Sequence, residues 1–565
     1  MYNNRLVKIA ALQLCLLLAN VCYAQKSATA NNPLQAQIYA TIDKVYPASV
    51  LMWEIDAASG NRMSAQFSGV VVSKDGTILS AAHVVMTGKT YKVMFADGKE
   101  CTAKGFGRIT IPPNFMVPDA AMLKINESGP WPSAEMGWSS SLKVGQPCIS
   151  IAYPESVEQR KPNVRLGKVT VLKNQYGFVE SSCIMEPGDS GGPLFDMAGR
   201  VIGIHSGIQT PEDVNYEVPI DVYRKYWSAL NKAENYKAMP ADSDLVAKDL
   251  LITDNTVAAE ADRQKKLLNK VGQQLSSNTV KIKSTVDGKE QIILGALIST
   301  EGLQIKKSIP VKQVVISKSS VIGNDPILIG HEAIKLTVIA RNHKTDIVIL
   351  GISQSVGKGI KLTAADEKLA ALGTFLISPM VDSLPLIAVL STNYINLPNK
   401  SGAGYIGAAT ALKDDKLTLN TVLPGGAAAI GGLQTGDVIE EVGGVRVEDE
   451  LDFVKALRKY VAEDTVVIMG LHAGNSFRKY VVLKYPPQKL SNHPADHFAG
   501  GKSIRRDGFD KVLIQDAIVK PQQCGGPVFD SAGNFVGINL ARLSRTSAVI
   551  MPALGILHHV ISALN

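Results

Sequence analysis

The nonamer Glu186-Pro187-Gly188-Asp189-Ser190-Gly191-Gly192-Pro193-Leu194 sets a serine between glycines on a tight turn, as a nucleophile and its oxyanion hole require. The backbone N–H groups of Gly188 and Ser190 can converge on one spot and stabilise the oxygen of a tetrahedral intermediate. Gly188 reaches backbone angles that a Cβ would penalise. Alone, the nonamer also fits a glycine-rich hairpin; two upstream pieces argue for chemistry. Ser68 to Val85 reads as a strand, an Asp75-Gly76 turn, a second strand and then His83, and Pro118 to Ile125 places Asp119 at the head of an apolar strand. A serine hydroxyl is a poor nucleophile until a base takes its proton, and a histidine near its free pKa does so at neutral pH. Histidine, aspartate and serine in that order therefore point to acyl transfer.

The elements that must position these groups are short strands. From about Ile38 to residue 220, runs of Val, Ile and Leu are broken by Gly, Asn and Asp turns, which predicts an all-β domain. At these residues the chain resembles the HtrA (DegP-like) family of trypsin-fold serine endopeptidases. The resemblance covers roughly residues 38 to 225 and includes Ala81-Ala82-His83, Asp97-Gly98 and Glu217-Val218-Pro219-Ile220-Asp221. It implies a double β-barrel in which Ser190 is the nucleophile, His83 the general base and then acid, and Asp119 the group that orients the imidazole. The specificity pocket is expected against Ile184, Met185 and the strand carrying His205 and Gly207. With no acid there, an apolar residue before the scissile bond is the expectation. Gly-Ile-His-x-Gly also resembles glutamyl endopeptidases, and His205 therefore raises a Glu or Gln preference as the alternative.

The next section repeats the first. Gly302 answers Gly76 at an offset of 226, Asp346 answers Asp119 at 227, and Cys524 answers Ser190 at 334. The offset grows by 107 between the acid and the nucleophile, so a small domain is inserted there. This second copy reads as a pseudoprotease. Lys306-Lys307-Ser308-Ile309-Pro310 stands at the histidine's expected register, and Gln522 replaces the glycine of the hole. The insert resembles a PDZ domain, through Gly404-Tyr405-Ile406-Gly407 and the run Gly425 to Ile439. That resemblance implies capture of a C-terminal peptide as an added strand, with Tyr405, Ile406 and Gly407 around its carboxylate and Phe453, Val454 and Leu457 lining a pocket.

The expected architecture is mainly β: a trypsin-like double barrel repeated twice plus an α+β PDZ domain. Its divisions are a signal peptide over 1–24, a protease domain over 33–225 and a helical connector over 226–276. The pseudoprotease follows in two parts, 277–400 and 489–565, around the PDZ domain over 401–488. At 565 residues the chain has room for several cores, with 45% hydrophobic and 19% charged residues. A formal charge of +8 without a Lys/Arg block among aromatics argues against nucleic acid as a partner. Residues 1–24 carry Arg5 and Lys8 before a short apolar run, as an export signal does, and no later segment is long enough to span a membrane. The expected location is thus periplasmic or secreted. Of the cysteines remaining after cleavage, Cys148 and Cys183 could pair, but buried free thiols fit better than a disulfide framework. No cluster has metal-ligand spacing, and neither metal nor cofactor is expected. The loop Asp56 to Ala65 is short where cage-forming members carry a long one, which argues against a cage and leaves a smaller homo-oligomer open.

Together these features predict an exported endopeptidase acting on unfolded or damaged proteins. The alternative is a peptide-binding chaperone or scaffold whose protease domain is normally silent.

Overall fold

Strands ended by Gly and Asp turns curl into four closed six-stranded barrels. The computed structural model describes residues 32–565 apart from 112–117, 158–159, 242, 247–254, 287, 304–311, 331–332, 363–369 and 488–490. The export signal expected over 1–24 and the segment Lys306 to Pro310 lie outside the described residues. In the first barrel the ring runs Ser49–Ile55, Phe67–Val71, Thr77–Ala81, Asp119–Ile125, Glu100–Thr110 and Thr90–Phe95. The second runs Pro193–Asp196, Pro147–Ala152, Asn163–Val171, Val179–Ser181, Asn215–Pro219 and Arg200–Ile208. The third and fourth barrels repeat these two orders with strands between Thr279–Val286 and Ala548–Pro552. Alternation within each strand decides what is buried. In Ser49–Ile55, for example, Val50 and Met52 enter the barrel core while Leu51 belongs to a separate cluster outside it.

The two double barrels share a core. Helix Pro33–Val45, capped by the Asn32 side chain on the Gln35 N–H, buries Leu34, Ile38, Ile42 and Val45. These join one apolar cluster with Phe195 and Val201 of the second barrel and Phe375, Ile377 and Val389 of the fourth. Polar contacts fix the same junction. The half-buried Asp516 carboxylate accepts the N–H groups of Leu166 at 3.0 Å and Val389 at 2.7 Å. Arg542 pairs with Glu212, and Arg545 donates to the carbonyls of Gln209 at 2.9 Å and Glu212 at 2.6 Å. Both arginines are buried, so the loop after strand Arg200–Ile208 is held by the fourth barrel. The connector is not helical throughout. Helices Trp227–Leu230 and Asn255–Gln274 flank a short strand, Asn235–Tyr236, which adds to Arg108 and Ile109.

Between strands Leu386–Ile395 and Val512–Gln515 of the fourth barrel stands a separate sheet, ordered Ala408–Lys413, Lys416–Val422, Val438–Val442, Thr465–His472 and Asn475–Val482. It has its own core around Leu419, Ile439, Phe453 and Ile468. Its two ends meet where Tyr405 and Lys484 exchange backbone hydrogen bonds of 2.7 and 3.0 Å. In the second barrel the corresponding strands are joined only by residues 172–178.

Candidate active site

Strand Thr77–Ala81 delivers His83 one residue beyond Ala82, and the head of strand Asp119–Ile125 meets it. Asp119 Oδ1 accepts the His83 backbone N–H at 2.8 Å, and Oδ2 lies 2.7 Å from His83 Nδ1. His83 Nε2 lies 3.0 Å from Ser190 Oγ. The structure thus brings His83, Asp119 and Ser190 into one chain. Ser206 is a member that sequence did not single out: its hydroxyl donates to Asp119 Oδ2 at 2.6 Å. With both oxygens occupied, Asp119 fixes the imidazole with Nδ1–H toward itself and Nε2 open to the serine proton. Burial by itself would lower the His83 pKa, but the hydrogen bond and charge of Asp119 outweigh it, and the pKa lies above the ordinary 6.5.

The turn before Ser190 is fixed sterically. Gly188 sits at φ +96°, and a Cβ there would lie 2.5 Å from the Tyr153 carbonyl oxygen. Gly191 sits at φ +83° with Ser80 Oγ at 2.0 Å from any added Cβ. Ser68 ties the loop down, its hydroxyl donating to the Gly188 carbonyl at 2.7 Å and its N–H to the Ser190 carbonyl at 2.9 Å. Among the described residues the N–H groups of Gly188 and Ser190 have no acceptor, as an oxyanion hole requires.

Beneath the loop, Arg165 grips Asp189 with two bonds of 2.8 Å, both side chains being almost fully buried. Burial pushes the Asp189 carboxyl up to about 6 against the pull of Arg165. Removing either partner would strand a buried charge. Nothing in the spacing of residues 165 and 189 announces this pair.

The cleft holding Ser190 has a volume of about 330 Å³. Met185, His205 and Gly207 line it, but Ile184 does not; the Ile184 carbonyl instead accepts from Arg165 at 3.0 Å. His205 is fully buried, and its Nε2 is already paired with Ser150 Oγ at 2.7 Å. Burial, with the Arg165 charge, lowers its pKa to about 3, so the ring is neutral. Ser150 thus takes up Nε2, while Nδ1 has no hydrogen-bond partner among the described residues and lies 3.8 Å from Glu217 Oε1. His493 and Pro494, from the segment leaving the inserted sheet, also line the cleft, and no sequence pattern had placed them there.

In the second copy the register differs from the expected one. Ser319 N–H donates to the Asp346 carbonyl and Ser320 N–H to Asp346 Oδ1, as Ala82 and His83 do to Asp119. Ser320 rather than Lys306 to Pro310 therefore occupies the histidine's place. The Asp346 carboxylate is buried in an ion pair with Lys318. Cys524 Sγ is buried 3.7 Å from Ser503 Oγ, and burial raises its thiol pKa. Gln522 has none of the positive φ of Gly188. Cys148 and Cys183 are free thiols with their sulfurs 4.0 Å apart.

In the inserted sheet, Ala408–Lys413 is the edge strand beside helix Glu450–Leu457. The Ile406 and Gly407 N–H groups have no acceptor among the described residues, whereas that of Tyr405 is taken by Lys484. Phe453 and Leu457, expected to line a groove, are buried in the core; the exposed apolar side chains of that helix are Leu451 and Val454.

The profile of the trypsin-like peptidase domain matches residues 67–204, and that of the PDZ domain matches residues 418–470. A probable periplasmic serine endoprotease DegP-like of Hahella chejuensis is 26% identical over 74% of this chain and 80% of its own length. Its counterpart in Pseudomonas fluorescens is 35% identical over 27% of this chain and 33% of its own. Serine protease HTRA1 of Xenopus tropicalis is 32% identical over 30% of this chain and 36% of its own. A crystal structure of the serine endoprotease from Yersinia pestis aligns at 14% identity with a TM-score of 0.29, covering 80% of this chain and 98% of that one, too loose an overlay for geometric comparison. Peptidase domain, PDZ domain and DegP-like relatives together make this chain an HtrA-like serine endopeptidase.

Proposed function

We propose that the protein is exported and hydrolyses peptide bonds of unfolded or damaged proteins through His83, Asp119 and Ser190. The observation that carries this is the hydrogen-bonded chain from Asp119 to Ser190, ending beside two unpartnered amides. In this reading His83 Nε2 takes the Ser190 proton as Oγ attacks the carbonyl carbon. The oxyanion moves into the amides of Gly188 and Ser190, and the proton on Nε2 passes to the leaving nitrogen. Water, deprotonated by the same nitrogen, then releases the acyl group. Asp119 keeps its negative charge throughout and stabilises the imidazolium. The second copy is inert, since Ser320 offers no imidazole. The edge strand Ala408–Lys413 and the free amides of Ile406 and Gly407 support capture of C-terminal peptides by the PDZ domain. The DegP-like relatives named periplasmic support export, and among the described residues no helix is long and apolar enough to cross a membrane.

The test is casein degradation by wild type, Ser190→Ala and Cys524→Ala. Loss in the first variant and retention in the second is expected. A wild type that cleaves nothing, with or without C-terminal peptides, yet keeps a reporter from aggregating would favour a chaperone or scaffold.

A further inference from the structure

Arg108 is a buried cation beside the triad for which the proposed mechanism has no use. It stands on strand Glu100–Thr110 opposite Ala121, two residues after Asp119, and Ala121 belongs to the core of the first barrel. Cross-strand partners share one face of a sheet, so the side chain turns inward at the end of that barrel. There its Nη1 donates to the sulfur of Met86, three residues after His83, which places the guanidinium beneath the turn that carries the imidazole. The backbone is fixed from the other side: the Arg108 N–H donates to the Glu234 carbonyl at 3.0 Å, and strand Asn235–Tyr236 pairs alongside. The residue is 8% exposed, yet a thioether is a weak acceptor and Nε has no hydrogen-bond partner. Among the described residues no carboxylate forms an ion pair with it. A charge withdrawn from water on such terms is costly to keep. The acid whose charge reaches it is Asp119, both of whose oxygens already hold hydrogen bonds.

The second copy keeps an arginine in the same register, Arg341 opposite Val348, two residues after Asp346. There, with Ser320 in the histidine's place, the guanidinium is spent on oxygens: the carbonyls of Ser319 at 3.2 Å and Gly323 at 2.6 Å, and Ser319 Oγ at 3.3 Å. In the copy that has an imidazole the cation goes without them.

We propose that Arg108 is a positioning residue of the triad, acting by charge through Asp119 and His83: it favours the ionised carboxylate and disfavours the imidazolium, so that His83 stays a free base to lower pH than the Asp119 contact alone would allow. This rests on His83 being the base for Ser190. Burial lowers the His83 pKa, the hydrogen bond and charge of Asp119 raise it, and the charge of Arg108 lowers it again. Glu155, Glu186, His205 and His493 line the same cleft, and Tyr91 faces Arg108. All five stay in place when Arg108 alone is changed.

The test is the pH dependence of kcat/KM for casein in wild type, Arg108→Lys, Arg108→Met and Arg108→Gln, with Tm measured alongside. In parallel the His83 ring is titrated by NMR of protein carrying isotope-labelled histidine, in a Ser190→Ala background that needs no turnover. Arg108→Met and Arg108→Gln are expected to move the acid limb and the ring titration upward together by about half a pH unit, which is a loss of about threefold in kcat/KM well below the limb. Arg108→Lys, which keeps the charge, holds the wild-type profile. Two neutral side chains of different polarity guard against one that fails to fold. A merely structural arginine would lower Tm and leave both titrations where they were, and that result would overturn the proposal, as would a shift of the same size in Arg108→Lys. A ring titration that moves as expected in a protein whose wild type cleaves nothing would leave the role of Arg108 standing and overturn His83 as the base for Ser190.

Discussion

Two sites of common plan have met opposite fates, and the segment leaving the PDZ domain touches both. In the first copy that segment walls an open cleft with His493 and Pro494. In the second it fills the space: Ser503 lies on Cys524, and the Arg505 carbonyl accepts from Lys318 at 2.8 Å beside Asp346. The supporting glycine survives in both, since a Cβ on Gly525 would lie 2.3 Å from Ser317 Oγ much as one on Gly191 meets Ser80 Oγ. The barrel thus needs that glycine for packing whether or not a nucleophile follows the loop. The imidazole, the acid's open face and the glycine of the hole have gone, Cys524 stands for the serine, and Gln523 stands where the buried Asp189 pairs with Arg165.

The largest test of this contrast is an attempt to revive the second copy. In a Ser190→Ala background, Ser320→His with Cys524→Ser is expected to give no casein cleavage, while Ser190→Ala alone costs wild type about 10⁴-fold or more in kcat. Activity in the revived chain would show that segment 503–505 is no plug.

Next comes Arg165→Met. Leaving Asp189 buried without its partner is expected to cost about 3–5 kcal/mol, seen as a lower Tm and a large drop in kcat. Adding Asp189→Asn restores most of the stability, because the second copy manages with an uncharged Gln523 at that place. A Tm unchanged by Arg165→Met would mean that the pair does not support the loop.

The pH profile separates the copies at smaller cost. Attack needs neutral His83, whose pKa the fold raises, so kcat/KM should climb about tenfold per pH unit on the acid side and level off above an apparent pKa higher than 6.5. A limb centred clearly below 6.5 would contradict the Asp119 contact. The smallest expected change is for Arg542→Ala, which frees Glu212 and the loop beside the cleft; KM for casein should rise about three- to tenfold with little change in kcat.

The triad could be located from sequence because each member sits in a local pattern: a strand before His83, an apolar run after Asp119, a glycine turn around Ser190. Ser320 could not. The stretch between Gly302 and Ser320 is eleven residues longer than that between Gly76 and His83, and the stretch from Ser320 to Asp346 is ten shorter than that from His83 to Asp119. The two changes nearly cancel, so the acid's offset disguised the shift of its neighbour. Arg165 with Asp189, Ser206 on Asp119, and His493 at the cleft are contacts between distant strands or halves, which no periodicity encodes. For His205 the local motif says nothing of Ser150, which reaches the ring from another strand.

The hairpin that carries the PDZ domain also favours an order of assembly. Strand Leu386–Ile395 must pair with Val512–Gln515, which the ribosome delivers only after the whole insert has emerged. Closing so long an unfolded loop carries an entropic cost that grows with its length. Once Tyr405 and Lys484 have joined, the insert behaves as a short turn and brings the two strands together. The PDZ domain is in this sense a clasp for the last barrel, because its closing shortens the loop between the two strands that must pair.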